Sequence, residues 1–288
     1  MKKLLFTVSL SNLFILLLLL MPVFFADAGT PAKVLIVPGH DDGSWGTEFL
    51  GVKEADMNVK LALMLYDRLK QDKNFEVFIT RDWNGYKKEF ADYFQNNEEV
   101  ILQFIKNSKE KFDDKIRNGE VEEFENVYHN DASDGMVLKL YGINKWADEN
   151  NIGAVIHIHF NDYPRTKTHQ RGKYKGFAVY IPEESLKNSK ASSPLGFFVF
   201  NSLFKNYYIS DYKKESGGVV PDQSLIALGA NNTLNTRSVL IEYGYIYERI
   251  FSTYYKREAQ MKRMAKQTYE GIKKYFDYLA QKPHKIGA

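Results

Sequence analysis

The chain has 288 residues, a formal net charge of +3 and no cysteine. Disulfides, thiolate metal sites and thiol catalysis are thereby excluded, and the fold must rest on its core alone. Lysine plus arginine (39) nearly balance aspartate plus glutamate (36), so no basic field marks out a nucleic-acid partner.

Lys2 and Lys3 open the chain, residues 4–25 are almost wholly apolar, and Ala26-Asp27-Ala28 sets small residues where a signal peptidase reads. This predicts a signal peptide over residues 1–28. The apolar run is also long enough to span a bilayer, so an uncleaved N-terminal anchor with membrane attachment is the competing reading. Under either reading the working part is exported, to a periplasm or to the extracellular cell wall. Residues 29–288 are enough for one large domain with a well-buried core.

Residues 33–37 (Lys-Val-Leu-Ile-Val) read as a buried strand ended by Pro38-Gly39-His40. A helix follows from about Glu54, with Leu61, Leu65 and Leu69 on one face. Residues 75–80 alternate as a strand. Residues 84–150 stand apart as a charged and aromatic stretch that fits two or more amphipathic helices, followed by a polar break at 129–135. Strands are expected at 153–159 and 176–181, a helix over 195–207, and short strands at 224–228 and 238–242. The last element is a long amphipathic helix to about Gln281, with Met261, Met264, Ala265, Thr268, Ile272, Phe276 and Leu279 at helical spacing. Strands alternating with helices predict a single α/β domain. Its central, largely parallel sheet is flanked by helices on both faces, with a helical insertion at about 84–150.

In such sheets the ligand site forms beyond the carboxyl ends of the strands, and His40, His159 and Glu242 all fall there. Glu54 opens a helix, where a carboxylate also complements the helix dipole, while nearby Glu48 sits in a loop that fixes it less. His157 and His159 share one face of a strand otherwise built of Ala, Val and Ile, an arrangement that is costly unless something pairs with them. One can ligate a metal while the other orients the site, and Asn161-Asp162 can add supporting hydrogen bonds. Glu242 closes a hydrophobic strand, where burial raises a carboxyl pKa toward the range of a general base. Two imidazoles and a carboxylate suit zinc with one position left for water, and a second carboxylate can deprotonate that water.

The ordered set resembles the zinc-dependent N-acetylmuramoyl-L-alanine amidases of bacterial cell-wall turnover. The matching segments are Pro38-Gly39-His40, Lys53-Glu54-Ala55-Asp56, Thr80-Arg81-Asp82, His159-Phe160-Asn161 and Leu240-Ile241-Glu242-Tyr243-Gly244, in family order across nearly all of residues 33–280. The resemblance implies that His40, Glu54 and His159 bind one zinc ion. It also implies that Glu242 is the catalytic carboxylate and peptidoglycan, glycan strand and stem peptide, the substrate. Three departures stand out. Val37 replaces the usual Asp before Pro-Gly-His, with Asp41 and Asp42 where glycines are usual. His157 replaces a small Ser, which leaves it open as the alternative ligand. Residues 84–150 exceed the usual connection.

Arg165, Lys167, Arg171, Lys173 and Lys175 crowd the loop after the second histidine, either as a solvated basic loop or as partners for stem-peptide carboxylates. Residues 84–150 carry Glu89, Glu98, Glu99, Glu120, Glu122, Glu123 and Glu125. They read either as helices packed on the sheet's flank or as a cap over the metal that an activator protein would displace. His129, His169 and His284 read as surface residues. The alternatives kept open are an exported zinc hydrolase of another peptide or amide bond and a non-catalytic wall-binding relative.

Overall fold

The computed structural model describes residues 30–129 and 132–281. The predicted signal segment and His284 lie outside the described residues. Strand β1 (Ala32–Pro38) has Val34, Leu35 and Ile36 fully buried, as a strand covered on both faces requires. A short hairpin, β2 (Glu48–Phe49) and β3 (Val52–Lys53), leads into helix α1 (Glu54–Lys70). Strand β4 (Phe75–Ile79) and the hairpin β5 (Arg81–Asp82) and β6 (Gly85–Tyr86) follow. Helices α2 (Lys88–Asn96), α3 (Glu98–Arg117) and α4 (Asp134–Glu149) precede β7 (Ala154–Asn161) and β8 (Ala178–Pro182). Helix α5 (Ser189–Leu203), β9 (Val219–Asp222), β10 (Arg237–Tyr245) and the long α6 (Tyr254–Gln281) complete the order. Among the described residues no helix is long and apolar enough to cross a membrane.

The sheet runs β4-β1-β7-β10-β8-β9. Its pairs are parallel except β10–β8, so the last two strands run against the other four. This is the expected α/β domain with a largely parallel sheet. Alternation sorts the side chains. Ile36, Ile156, Ile158, Val239 and Ile241 face one core with Leu61, Leu65, Val199 and Met264 of α1, α5 and α6. Leu35, Val37 and Val155 face the other with Phe90, Ile101 and Trp146 of α2, α3 and α4. The same period puts His157, His159, Leu240 and Glu242 on this second face.

The stretch 84–150 is therefore not uniform. Helix α4 buries Tyr141, Ile143, Trp146 and Ala147 and serves as the sheet's own cover, while α2 and α3 pack outside it. The strand expected at 224–228 lies earlier, at β9. Residues Ile226–Leu228 form a 3-10 turn ended by Gly229 at φ +92°. Pro221, which lacks an N–H, is tolerated because β9 is an edge strand. Helix α5 begins six residues before the expected start and contains Pro194.

Candidate metal centre

Three elements converge beyond the carboxyl ends of β1, β7 and β10. His40 leaves β1 with φ +60°, and its ring also hydrogen-bonds the backbone of Ser44, which turns Nε2 inward. Its Nε2 lies 3.1 Å from Oε2 of Glu54, and Nδ1 of His159 lies 3.1 Å from Oε1 of the same carboxylate. One ligand atom from each of His40, Glu54 and His159 falls within 4.8 Å of the others, and this is the one such group among the described residues.

Glu54 is the pivot. As the first residue of α1 it reaches over the strand ends, and it is 4% exposed. Its oxygens accept backbone N–H groups of Thr47 (3.2 Å) and Phe160 (3.2 Å) and Nδ2 of Asn58 (3.3 Å). Burial alone would raise its pKa, but His40 and the hydrogen bonds of both imidazoles hold it well below the usual carboxylate range. Burial likewise works against a charged His40, and the Glu54 carboxylate outweighs it, so that pKa is raised. For His159 burial prevails and the pKa is lowered, which favours the neutral imidazole a metal needs.

The space around these groups is kept by two glycines. A Cβ on Gly39 would lie 2.2 Å from the His159 ring. On Gly46, at φ +73°, it would lie 2.4 Å from Oε2 of Glu54 and 2.6 Å from His40. Arg81 clamps the surrounding backbone, with Nη2 donating to the carbonyls of Gly39 (2.8 Å) and Ala55 (3.2 Å). Two imidazoles and a carboxylate fit a zinc-like ion with room for further ligands.

Glu242 stands opposite His159 in the β7–β10 register, is 8% exposed, and has an Oε2 without a hydrogen-bond partner among the described residues. Burial first, then the charges of Glu54 and Glu215, push its pKa well above the carboxylate range. His157 is two pairs deeper, opposite Leu240. Burial and neighbouring His159 bring its pKa down to about 3, so it is a neutral ring next to the backbone of Ala227. It stands outside the His40–Glu54–His159 group.

Other expectations divide. Glu48 is exposed on β2, away from the group. Asp162 ties the loops together, taking Thr47 Oγ1 on one oxygen and Arg165 on both (3.1 and 2.9 Å). Arg165 also donates to the Glu48 carbonyl at 2.9 Å, and Arg171 to that of Tyr247 at 2.9 Å, so two of the five basic residues build the loop rather than stay free. Glu89, Glu98, Glu99, Glu120, Glu122, Glu123 and Glu125 are all exposed, and none joins the group.

Sequence reasoning missed Glu215. It sits in a Lys-Lys-Glu run that looks solvated, yet it is 1% exposed. It accepts from Asn161 (2.7 Å), Tyr180 (2.6 Å), Tyr245 (2.9 Å) and Ser210. No local pattern announces it, because its donors come from four separate elements. His129, read as a surface residue, is instead set against Asp222 and the ring of Tyr180.

A profile of the N-acetylmuramoyl-L-alanine amidase family matches residues 34–274. The search of curated proteins returned no match. Among solved structures the chain is similar to the amidase Ami1 of Mycobacterium smegmatis (15% identity, 86% of this chain and 97% of that one, TM-score 0.55). It is also similar to the CwlD amidase of Clostridioides difficile, solved in complex with the GerS lipoprotein (17%, 86% and 99%, 0.53). A third is the amidase AmiC2 of Nostoc punctiforme (18%, 85% and 97%, 0.51). At these identities the solved structures bear on the fold. The profile covers most of the sequence and contains His40, Glu54, His159 and Glu242. The chain belongs to the N-acetylmuramoyl-L-alanine amidase family, whose reaction is hydrolysis of the amide between N-acetylmuramic acid and L-alanine in peptidoglycan.

Proposed function

We propose that this amidase is an exported, zinc-dependent enzyme of the bacterial wall in which His40, Glu54 and His159 hold the ion and Glu242 moves the proton. The observation that carries this reading is the meeting of two imidazoles on one buried carboxylate, with the unpartnered Oε2 of Glu242 across the register from His159. A zinc ion held there would supply a Lewis acid for the scissile carbonyl and lower the pKa of a water.

The chain's own residues supply the rest. Glu242 takes a proton from the attacking water through Oε2 and returns it to the nitrogen of the leaving L-alanine. Its raised pKa makes it a stronger base than a solvated carboxylate. Asn58 and the Phe160 N–H fix the Glu54 carboxylate, so neither imidazole has to find its place when substrate arrives. Tyr180 and Asn161 are committed to Glu215, and Oε2 of Glu242 has no donor among the described residues.

Export rests on residues 1–28, and a cleaved signal is the form we favour over an anchor. A protein activator is compatible with this reading, since CwlD was solved with a lipoprotein bound. The helices α2 and α3 are the surface to test for it. The deciding experiment is digestion of purified sacculi followed by mass spectrometry, with metal content measured on the same sample. Intact stem peptides beginning with L-alanine, and about one zinc per chain, support the reading. Cleavage at another bond, or no bound metal, defeats it.

A further inference from the structure

Asp222, at the end of β9, is fully buried, and its two oxygens are served differently. Oδ1 accepts the backbone N–H groups of Ser224 and Leu225, each at 2.8 Å. Oδ2 makes no ordinary hydrogen bond among the described residues, and the basic group facing it is Nε2 of His129, 3.4 Å away.

The segment carrying His129 is held in place. Gln223 donates to Asn126 Oδ1 (2.7 Å) and to the Glu122 carbonyl (3.0 Å), and accepts from the Phe124 N–H (3.1 Å). Val127 is buried in the cluster that contains Tyr180 and Leu240, and the His129 ring stands edge-on to Tyr180 with centroids 5.3 Å apart. Downstream, Lys139 of α4 pairs with Asp41, next to His40, at 2.6 Å. His129 therefore stands at Tyr180, the β8 residue paired with Leu240, on the face that bears His159 and Glu242. It is near enough to His159 for the two rings to interact electrostatically.

We propose that His129 is a substrate-positioning residue of this amidase, with Nδ1 accepting a hydrogen bond from an N–H or O–H of the bound muramoyl peptide. The proposal rests on the amidase reading above. A buried carboxylate oxygen needs a donor, and Nε2–H is the one on offer. With Nε2–H donating to Asp222, the other ring nitrogen, Nδ1, is the acceptor of that tautomer. Nε2 is fully buried while the His129 side chain is 27% exposed, so the accessible part of the residue lies elsewhere on it than Nε2. Amide N–H groups of the stem peptide and sugar hydroxyls are the donors such an acceptor recognises.

The test compares His129→Ala, His129→Asn and Asp222→Asn on a soluble muropeptide. His129→Ala should raise KM about tenfold while kcat stays within about threefold, the size of one lost hydrogen bond. His129→Asn, which can place its oxygen near the Nδ1 position, should recover part of the loss. Asp222→Asn offers a donor to His129, favours the opposite tautomer, and should raise KM although the imidazole is still present. Calorimetric Kd values for the same muropeptide, measured in a Glu242→Gln background, should change in the same ratios. Unchanged KM and Kd in His129→Ala overturn the proposal, as does a joint loss of kcat, bound metal and Tm, which would mean a purely structural role. If wild-type protein binds the muropeptide without cleaving it, the amidase reading fails while the Kd series still decides His129.

Discussion

Glu242 is paired directly with His159 across β7 and β10, so the proposed base and a proposed ligand are neighbours held in register by main-chain hydrogen bonds. Their spacing is a property of the sheet rather than of a loop, and exchanging one side chain should leave the other in place. Glu242→Gln should therefore retain bound zinc and lower turnover of sacculi by about 10²–10⁴, the range of a lost general base. Retained turnover would remove Glu242 from the mechanism.

The same substitution should act on stability in the metal-free protein. The folded pKa of Glu242 is raised, so its contribution is most favourable below the ordinary carboxylate pKa and is lost as pH rises above it. Glu242→Gln should then raise Tm at pH 7 and give little change near pH 3.5, an ordinary acidic value for free carboxyls. Thermal melts of chelated protein at both pH values check the sign.

Gly39 does not adopt a left-handed backbone, so what forbids a side chain there is the imidazole of His159, 2.2 Å from the missing Cβ. Gly39→Ala should displace that ring and lose most metal binding and activity, while circular dichroism stays that of the parent. Equal zinc content in the variant would contradict the packing argument.

Adding zinc to chelated protein should raise Tm by about 5 °C or more at free metal about a hundredfold above Kd. His159→Ala should show no such increment. Differential scanning calorimetry with and without chelator measures it.

Glu215→Ala would strand the buried hydroxyls of Tyr180 and Tyr245 and the amide of Asn161. The expected cost is about 3–5 kcal/mol, summed over the lost partners. Glu215→Gln, which keeps the shape and one acceptor, should cost less. Urea unfolding of both variants checks the order.

Much of this architecture was legible in the sequence because it follows from short-range period and position. The apolar runs that became β1, β7 and β10 each deliver a polar residue toward the carboxyl end of the strand, although β10 runs on three residues past Glu242, and Glu54 begins a helix with a clear apolar face. What stayed hidden depends on contacts between distant segments. Gly46 is an unremarkable loop residue until its backbone meets His40 and Glu54. Asp222 looks like a turn residue, and it does cap the turn after β9, but its second oxygen acquires meaning only when His129 arrives from 93 residues earlier. The strand expected at 224–228 failed for a related reason. Apolar Leu225, Ile226 and Leu228 suit either a strand or a tight turn, and the Asp222 cap together with left-handed Gly229 selects the turn.

Glu54 is at once a bridge between two imidazoles and the opening residue of α1. Helix ends are where backbones fray first, so this geometry ties retention of an ion to the breathing of a single turn. The N–H groups of Glu54 and Ala55 are fastened to the carbonyls of Thr47 (2.8 Å) and Trp45 (3.1 Å), which latches that turn shut. Escape of the ion would then be timed by rupture of two backbone hydrogen bonds to the preceding loop, and amide exchange at Glu54 and Ala55 would report its clock.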